Sequence, residues 1–150
     1  MNVLGPALSI LIMILLLPFI LISLPFVMIN DRIEKKKFRI YLEYIGDKNF
    51  FCYNNRSDCK GFIENELLNN LKDCNIELIF LDGKTPKSDY NPNYISRALY
   101  ELKNYRRFPH LLKIRNGNLI DKSINNSVFN TINKNKSMES LLEEIKEFFD

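Results

Sequence analysis

The feature that most constrains this chain is an uncharged apolar run: between residues 3 and 29 there is no Asp, Glu, Lys or Arg. Rising about 1.5 Å per residue, a helix of that length reaches roughly 40 Å, more than the roughly 30 Å hydrocarbon core of a bilayer. Residues 1–30 are therefore expected to form a single-pass transmembrane anchor, with the lipid bilayer as one partner. Pro6 lies near the start, where a missing N–H matters little, whereas Pro18 and Pro25 interrupt the hydrogen-bond ladder and predict a kink or an early end. A cleaved signal peptide is the alternative. Against it, no basic residues precede the run, the run exceeds the usual signal core, and no A-x-A-like site follows.

The flanks set the expected orientation. Arg32, Lys35, Lys36, Lys37 and Arg39 follow the run closely, diluted by Asp31 and Glu34, so residues 31–37 read as a basic juxtamembrane linker. The positive-inside tendency then places the C-terminal domain in the cytosol, where its thiols stay reduced, with the lumen of the secretory pathway as the alternative. Glycosylation-type triplets begin at Asn55, Asn125 and Asn135, a pattern that a chain rich in Asn and Ser also produces by chance.

What remains, residues 38–150, suffices for one compact domain and is too short for two ordinary ones. The net charge is only +3, with both signs interleaved, so the basic stripe of a nucleic-acid binder is missing. Three cysteines (Cys52, Cys59, Cys74) and one histidine (His110) make a poor stock for a metal cage. No metal, cofactor or nucleic acid is expected.

Residues 38–45 (FRIYLEYI) alternate bulky and polar side chains and predict a strand ended by Gly46. A polar loop follows through Asp58. In residues 59–74, Phe62, Ile63, Leu67, Leu68 and Leu71 share one helical face. Residues 76–81 form a short apolar run that predicts a buried strand and completes a βαβ unit. After a loop with Pro86 and Pro92, a helix is predicted over 93–104 with Ile95, Leu99 and Leu102 inward. Asn116-Gly117 between two apolar runs predicts a hairpin after Pro109. Ser137 caps a last helix with a stripe of Met138, Leu141, Leu142, Ile145 and Phe148. The expected class is α/β, a mixed sheet flanked by helices, in the order β-α-β-α-β-β-α.

That order is the thioredoxin order, and FPHLLKIRNGNLID resembles the thioredoxin segment in which a cis-proline opens a hairpin strand. Upstream, KFRIYLEYIGDKNFFCYNNRSDC is similar to the small cytosolic thioredoxin-related reductases that carry a WCPDC motif. DGKTPKSDYNPNYISR resembles the same family's Gly-x-x-Pro loop and the Pro-Asn turn after it, with Gly83, Pro86, Pro92 and Asn93 in the matching places. The resemblance covers residues 37–150 and implies a thioredoxin-like fold with Pro109 as the cis-proline. It also exposes a departure. Where the motif reads Trp-Cys-Pro-Asp-Cys, this chain reads Asn55-Arg56-Ser57-Asp58-Cys59, so Arg56 stands in place of the nucleophilic cysteine.

Dithiol exchange needs an exposed thiolate and a resolving thiol, and only the second is in place. Cys59 opens a helix beside Arg56, which favours its thiolate, while the burial usual for that position in the family opposes it. Cys59 is thus either a lone or resolving thiol or a structural relic. Cys52, read as a loop residue, is either an ordinary loop cysteine or a redox partner for Cys59. Cys74 reads as core, and His110 as a strand residue without an acidic partner. Asp58 is expected to cap the helix ahead of Cys59. Around Pro109, the strand edge with Arg106, Arg107 and Phe108 suits an extended acidic or aromatic peptide, unless the arginines are simply solvated. Two functions result: a membrane-anchored interaction module that has lost dithiol catalysis, or a protein-disulfide oxidoreductase using Cys59 alone or with Cys52.

Overall fold

The computed structural model describes residues 4–83, 85–103 and 107–150, and its chain divides into two compact units, Met1–Phe38 and Arg39–Asp150. Asn104 and Arg106, named above, lie outside the described residues.

Helix α1, Leu4–Ile45, begins in the first unit and ends in the second. It bends by 44° between Phe19 and Leu21, directly after Pro18, whose missing N–H and ring account for the bend, whereas Pro25 is carried within the helix. Among the described residues no single helix is long and apolar enough to cross a membrane, although Ile12–Phe19 and Leu21–Ile45 together meet that test by length and composition. Between Ile12 and Ile29 the described apolar side chains face outward: Leu15, Phe19 and Phe26 are each close to 70% exposed, while Phe38 at the end of the unit is buried. Residues 31–37 continue the helix, supported by ion pairs Lys35–Asp31 and Lys37–Glu34 at helical spacing.

The strand expected over 38–45 is the end of α1. FRIYLEYI satisfies both a period of two and a helical period, and burial decides between them. Leu42 is 5% exposed, while Ile40 and Tyr44, which the alternation would group with it, are 54% and 85% exposed. Arg39 and Glu43, four apart, pair at 3.2 Å on the outer face. The first strand lies instead in the segment read as a polar loop: β1, Lys48–Asn54, has four consecutive buried residues from Phe50 to Tyr53. A strand covered on both faces shows no alternation, which is why this one read as a loop.

After β1, a helical stretch begins as α2, Lys60–Phe62, widens into a π turn at Ile63–Leu67 and tightens into a 3-10 turn at Leu68–Leu71. Then follow β2, Glu77–Asp82; β3, Thr85–Lys87; α3, Pro92–Tyr100; β4, His110–Arg115; β5, Asn118–Ser123; α4, Asn125–Ile132; and α5, Met138–Phe149. The sheet order is β3-β2-β1-β4-β5, with β1 and β2 parallel and the remaining pairs antiparallel. The architecture is a mixed five-stranded sheet flanked by helices.

Strand alternation sorts the core onto two faces. Phe51 and Tyr53 from β1 and Leu111 from β4 join Cys59, Ile63, Leu67, Val128, Leu141 and Ile145 in one apolar cluster under α2, α4 and α5. Phe50 and Cys52 point the other way, where the Phe50 ring meets Tyr90 edge-on at 5.3 Å. The β4–β5 turn uses Asn116 and Gly117, both at positive φ (52° and 71°), the backbone that a two-residue hairpin of this kind requires. Ser137 caps α5 by accepting from the Ser140 N–H, and Asn91 caps α3 by accepting from the Asn93 N–H. Helix α4 was not anticipated: its Asn-rich sequence reads as loop, but Ile124, Val128 and Ile132 recur at helical spacing and dock on the core.

Candidate functional site

The loop leaving the C-terminal end of β1 carries the residues singled out from the sequence. Asn54 ends the strand, and its side-chain oxygen accepts from the Arg56 N–H at 3.4 Å. The Arg56 carbonyl then accepts from the backbone N–H groups of Cys59 and Lys60 at 3.3 and 2.9 Å, which turns the chain into the helical stretch. Asp58 does not cap that stretch. The capping position is Cys59, with no side-chain capping bond, and the Asp58 carboxylate instead accepts from the Arg56 guanidinium at 2.8 Å.

The Arg56 side chain is held from three directions. Besides Asp58, its guanidinium donates to Asn125 Oδ1 at 3.2 Å and lies 4.7 Å from the centre of the Phe129 ring, close enough for a cation–π contact. Both Asn125 and Phe129 belong to α4, so the unanticipated helix also supplies two unanticipated site residues.

Cys59 sits at the base of this loop, 1% exposed and within the apolar cluster. Its thiol donates to the Arg56 carbonyl at 3.9 Å. Burial pushes the thiol pKa up and the Asp58 charge adds to the rise, while Arg56 pulls the other way without reversing it. The thiol is therefore the resting form at neutral pH, and nucleophilicity is suppressed.

Cys52 is not a loop residue. It occupies the middle of central strand β1, fully buried, and burial alone drives its thiol far above the ordinary range. Its neighbours Phe51 and Tyr53 share a face with Cys59, so Cys52 points to the opposite face. Both thiols are free, and the sheet between them removes the proposed Cys52–Cys59 pair. Cys74 is half-buried and packs against the edge of the core.

Across the sheet, His110 at the start of β4 stands opposite Cys52 in register. It is completely buried, and contrary to the sequence reading it has an acidic partner: Nε2 lies 3.0 Å from Asp121 Oδ2. Hairpin register puts Asp121 beside Leu112, one diagonal step from His110. Asp121 Oδ1 also accepts from the Lys103 N–H at 3.1 Å, tying the segment after α3 to the sheet. This is an internal fastening, far from being a solvent-facing acid–base site.

The Phe108–Pro109 peptide bond is cis, and Pro109 is buried. The Pro109 carbonyl accepts from the Ile124 N–H at 3.3 Å, and the Arg107 carbonyl accepts from Ser123 Oγ at 3.2 Å. These bonds fix the entry to β4 against the exit of β5. Asn54, Arg56, Arg107 and Phe108 then surround one cleft of about 290 Å3. Of the residues expected at a site, the fold thus gathers Arg56, Arg107 and Phe108, with Asp58 and Pro109 behind them; it leaves Cys59 beneath and Cys52 on the far face. A larger groove of about 570 Å3 between Glu139, Leu142, Glu143 and Lys146 is carried by the outer face of α5 alone. Among the described residues, no group of three or more His, Cys, Asp or Glu side chains comes together to hold a metal ion.

No family model, curated protein or solved structure matches this chain.

Proposed function

We propose that this protein is a membrane-anchored, thioredoxin-like interaction module that has given up dithiol chemistry. The observation that carries the reading is Arg56. It stands where the WCPDC-type reductases have their attacking cysteine, and its guanidinium is fastened by Asp58, Asn125 and Phe129. The remaining motif thiol, Cys59, is sealed beneath the loop with its ionisation suppressed. A cis-proline opening β4 and the parallel β1–β2 pair joined by a helical stretch are in keeping with the thioredoxin-like assignment. The outward-facing apolar side chains of the first unit support the anchor, because soluble surfaces rarely expose so much contiguous apolar area. The basic flank favours a cytosolic domain.

An insulin-type disulfide reduction assay with dithiothreitol tests the reading. The full chain in detergent is expected to show no turnover above Cys59→Ser. Robust Cys59-dependent turnover would overturn the module in favour of a thiol–disulfide oxidoreductase. Alkaline carbonate extraction checks the anchor: the full chain is expected to stay with the membrane pellet, and endoglycosidase-sensitive mass on the expressed protein would reverse the orientation.

A further inference from the structure

The cleft between the Arg56 loop and the entry to β4 has a chemistry of its own. Among the described residues its lining is two arginines, one asparagine and one phenylalanine, with no acid among them. At about 290 Å3 it lies at the lower limit of small-molecule sites, which run from roughly 300 to 1,000 Å3, so it is sized for a side chain or a chain end and not for a cofactor.

The two arginines differ in a useful way. Arg56 is pre-ordered: Asn125, Asp58 and the Phe129 ring already hold its planar group, so little rotamer freedom remains to be lost when a ligand arrives. Asp58 and Asn125 each take one donor from a guanidinium that has five N–H groups in all, leaving donors for an incoming acceptor. Arg107 is exposed, fixed at its backbone by Ser123, and among the described residues its guanidinium has no acidic partner. Phe108, only 7% exposed, supplies an apolar wall that lowers the local dielectric beside both charges.

We infer that this cleft is a carboxylate-binding subsite, which takes one acidic group of an extended peptide between the guanidinium groups of Arg56 and Arg107. The inference rests on the interaction-module reading and names the partner's chemistry. On this view, the arginine that replaced the nucleophile changed the site from one that attacks a disulfide to one that grips an anion. The acidic group is either a Glu or Asp side chain or a C-terminal carboxylate.

The test is fluorescence polarisation with the full chain in neutral-lipid nanodiscs. Three labelled probes of one short extended sequence are compared: a central Glu with an amidated C-terminus, the Gln counterpart with the same amide, and the Gln counterpart with a free C-terminus. At least one carboxylate-bearing probe is expected to bind about tenfold more tightly than the amidated Gln probe, reflecting two partly exposed charge pairs. The advantage should disappear in Arg107→Gln, a surface change that leaves the core alone, and shrink at high salt. The probe that wins identifies the carboxylate source.

Equal binding of all three probes, or an acidic preference that survives Arg107→Gln, would overturn the subsite. Amide shifts of His110 and Leu111 on adding the amidated Gln probe separate the two claims: shifts without charge preference keep the module and remove the subsite. No binding of any probe up to about 1 mM overturns the subsite outright. Arg107-dependent capture of anionic-lipid vesicles without peptide preference does the same, assigning the cleft to a lipid headgroup.

Discussion

The two faces of the sheet treat polar residues in opposite ways. Beneath α2, α4 and α5 the core is apolar, and charged groups stay at its margin: Arg56 over Phe129, Lys113 over Phe148, and Glu144 between Lys122 and Lys136. On the other face His110 and Asp121 are sunk into the interior beside Cys52. Reactive residue types therefore occur on both faces, and on the first Arg56 stays at the margin within reach of a partner. Chemistry-bearing residues on the second face serve the fold.

Four measurements probe this contrast. The largest effect belongs to the buried pair: Asp121→Ala removes a buried contact of His110 together with the acceptor of the Lys103 N–H, and is expected to lower stability by about 3–5 kcal/mol, roughly 1–3 for each group, in urea titrations of the full chain in detergent. Replacing both members by leucine should cost less than the single change, and an equal or greater loss would refute the pairing argument. Next comes Leu111→Ala. One residue from His110 but facing the apolar cluster, it is expected to cost about 3 kcal/mol through cavity formation alone, with no pH dependence.

Gly117→Ala tests the turn that sets the register between the two. Its φ of 71° disfavours any side chain, and a Cβ there would sit 2.7 Å from Glu43 Cγ. A loss of about 1–2 kcal/mol is expected, and a neutral result would show that the hairpin adjusts freely. The smallest change is at the margin of the apolar face. Burial pushes the Glu144 carboxyl up, but hydrogen bonds from Lys136 and Ser127 and the charge of Lys122 outweigh it and hold its pKa below the ordinary value. A depressed carboxylate contributes stability above its unfolded pKa of about 4.3 and loses it as pH falls through the folded value. Glu144→Gln should therefore cost under about 1 kcal/mol at neutral pH, and should flatten the loss of stability on acidification below about pH 4. An unchanged acid limb would remove the network.

Features that depend on neighbours in sequence were legible before the fold was known. Asn116-Gly117, the Ser137 cap and the apolar stripe of α5 each specify local geometry by themselves, and Pro109 was marked by resemblance. Features set by tertiary surroundings were not. FRIYLEYI fits two periods, and only the exposure of Ile40 and Tyr44 selects the helix. KNFFCYN lacks alternation because both its sides are covered, which also misplaced Cys52. The His110–Asp121 contact spans eleven positions and exists only through hairpin register. Asn125 and Phe129 were missed with their helix, since five asparagines within residues 125–135 disguise the spacing of Ile124, Val128 and Ile132.

The π turn at Ile63–Leu67 gives the Arg56 loop an angular setting. Leu68 N–H bonds to Ile63 five residues back, so the stretch holds one residue more than an α-helix would use between the same ends. Each α-helical residue turns the chain by about 100°. An extra residue taken up at α-helical geometry would rotate everything upstream by that angle, carrying Ile63 out of the core and Cys59 and Arg56 away from α4. The wide turn absorbs that residue within a single turn and so preserves the aim of the Arg56 loop. Deleting Asn65 is therefore expected to regularise the hydrogen bonds and leave the loop in place, whereas a one-residue deletion outside the wide turn would turn the loop away.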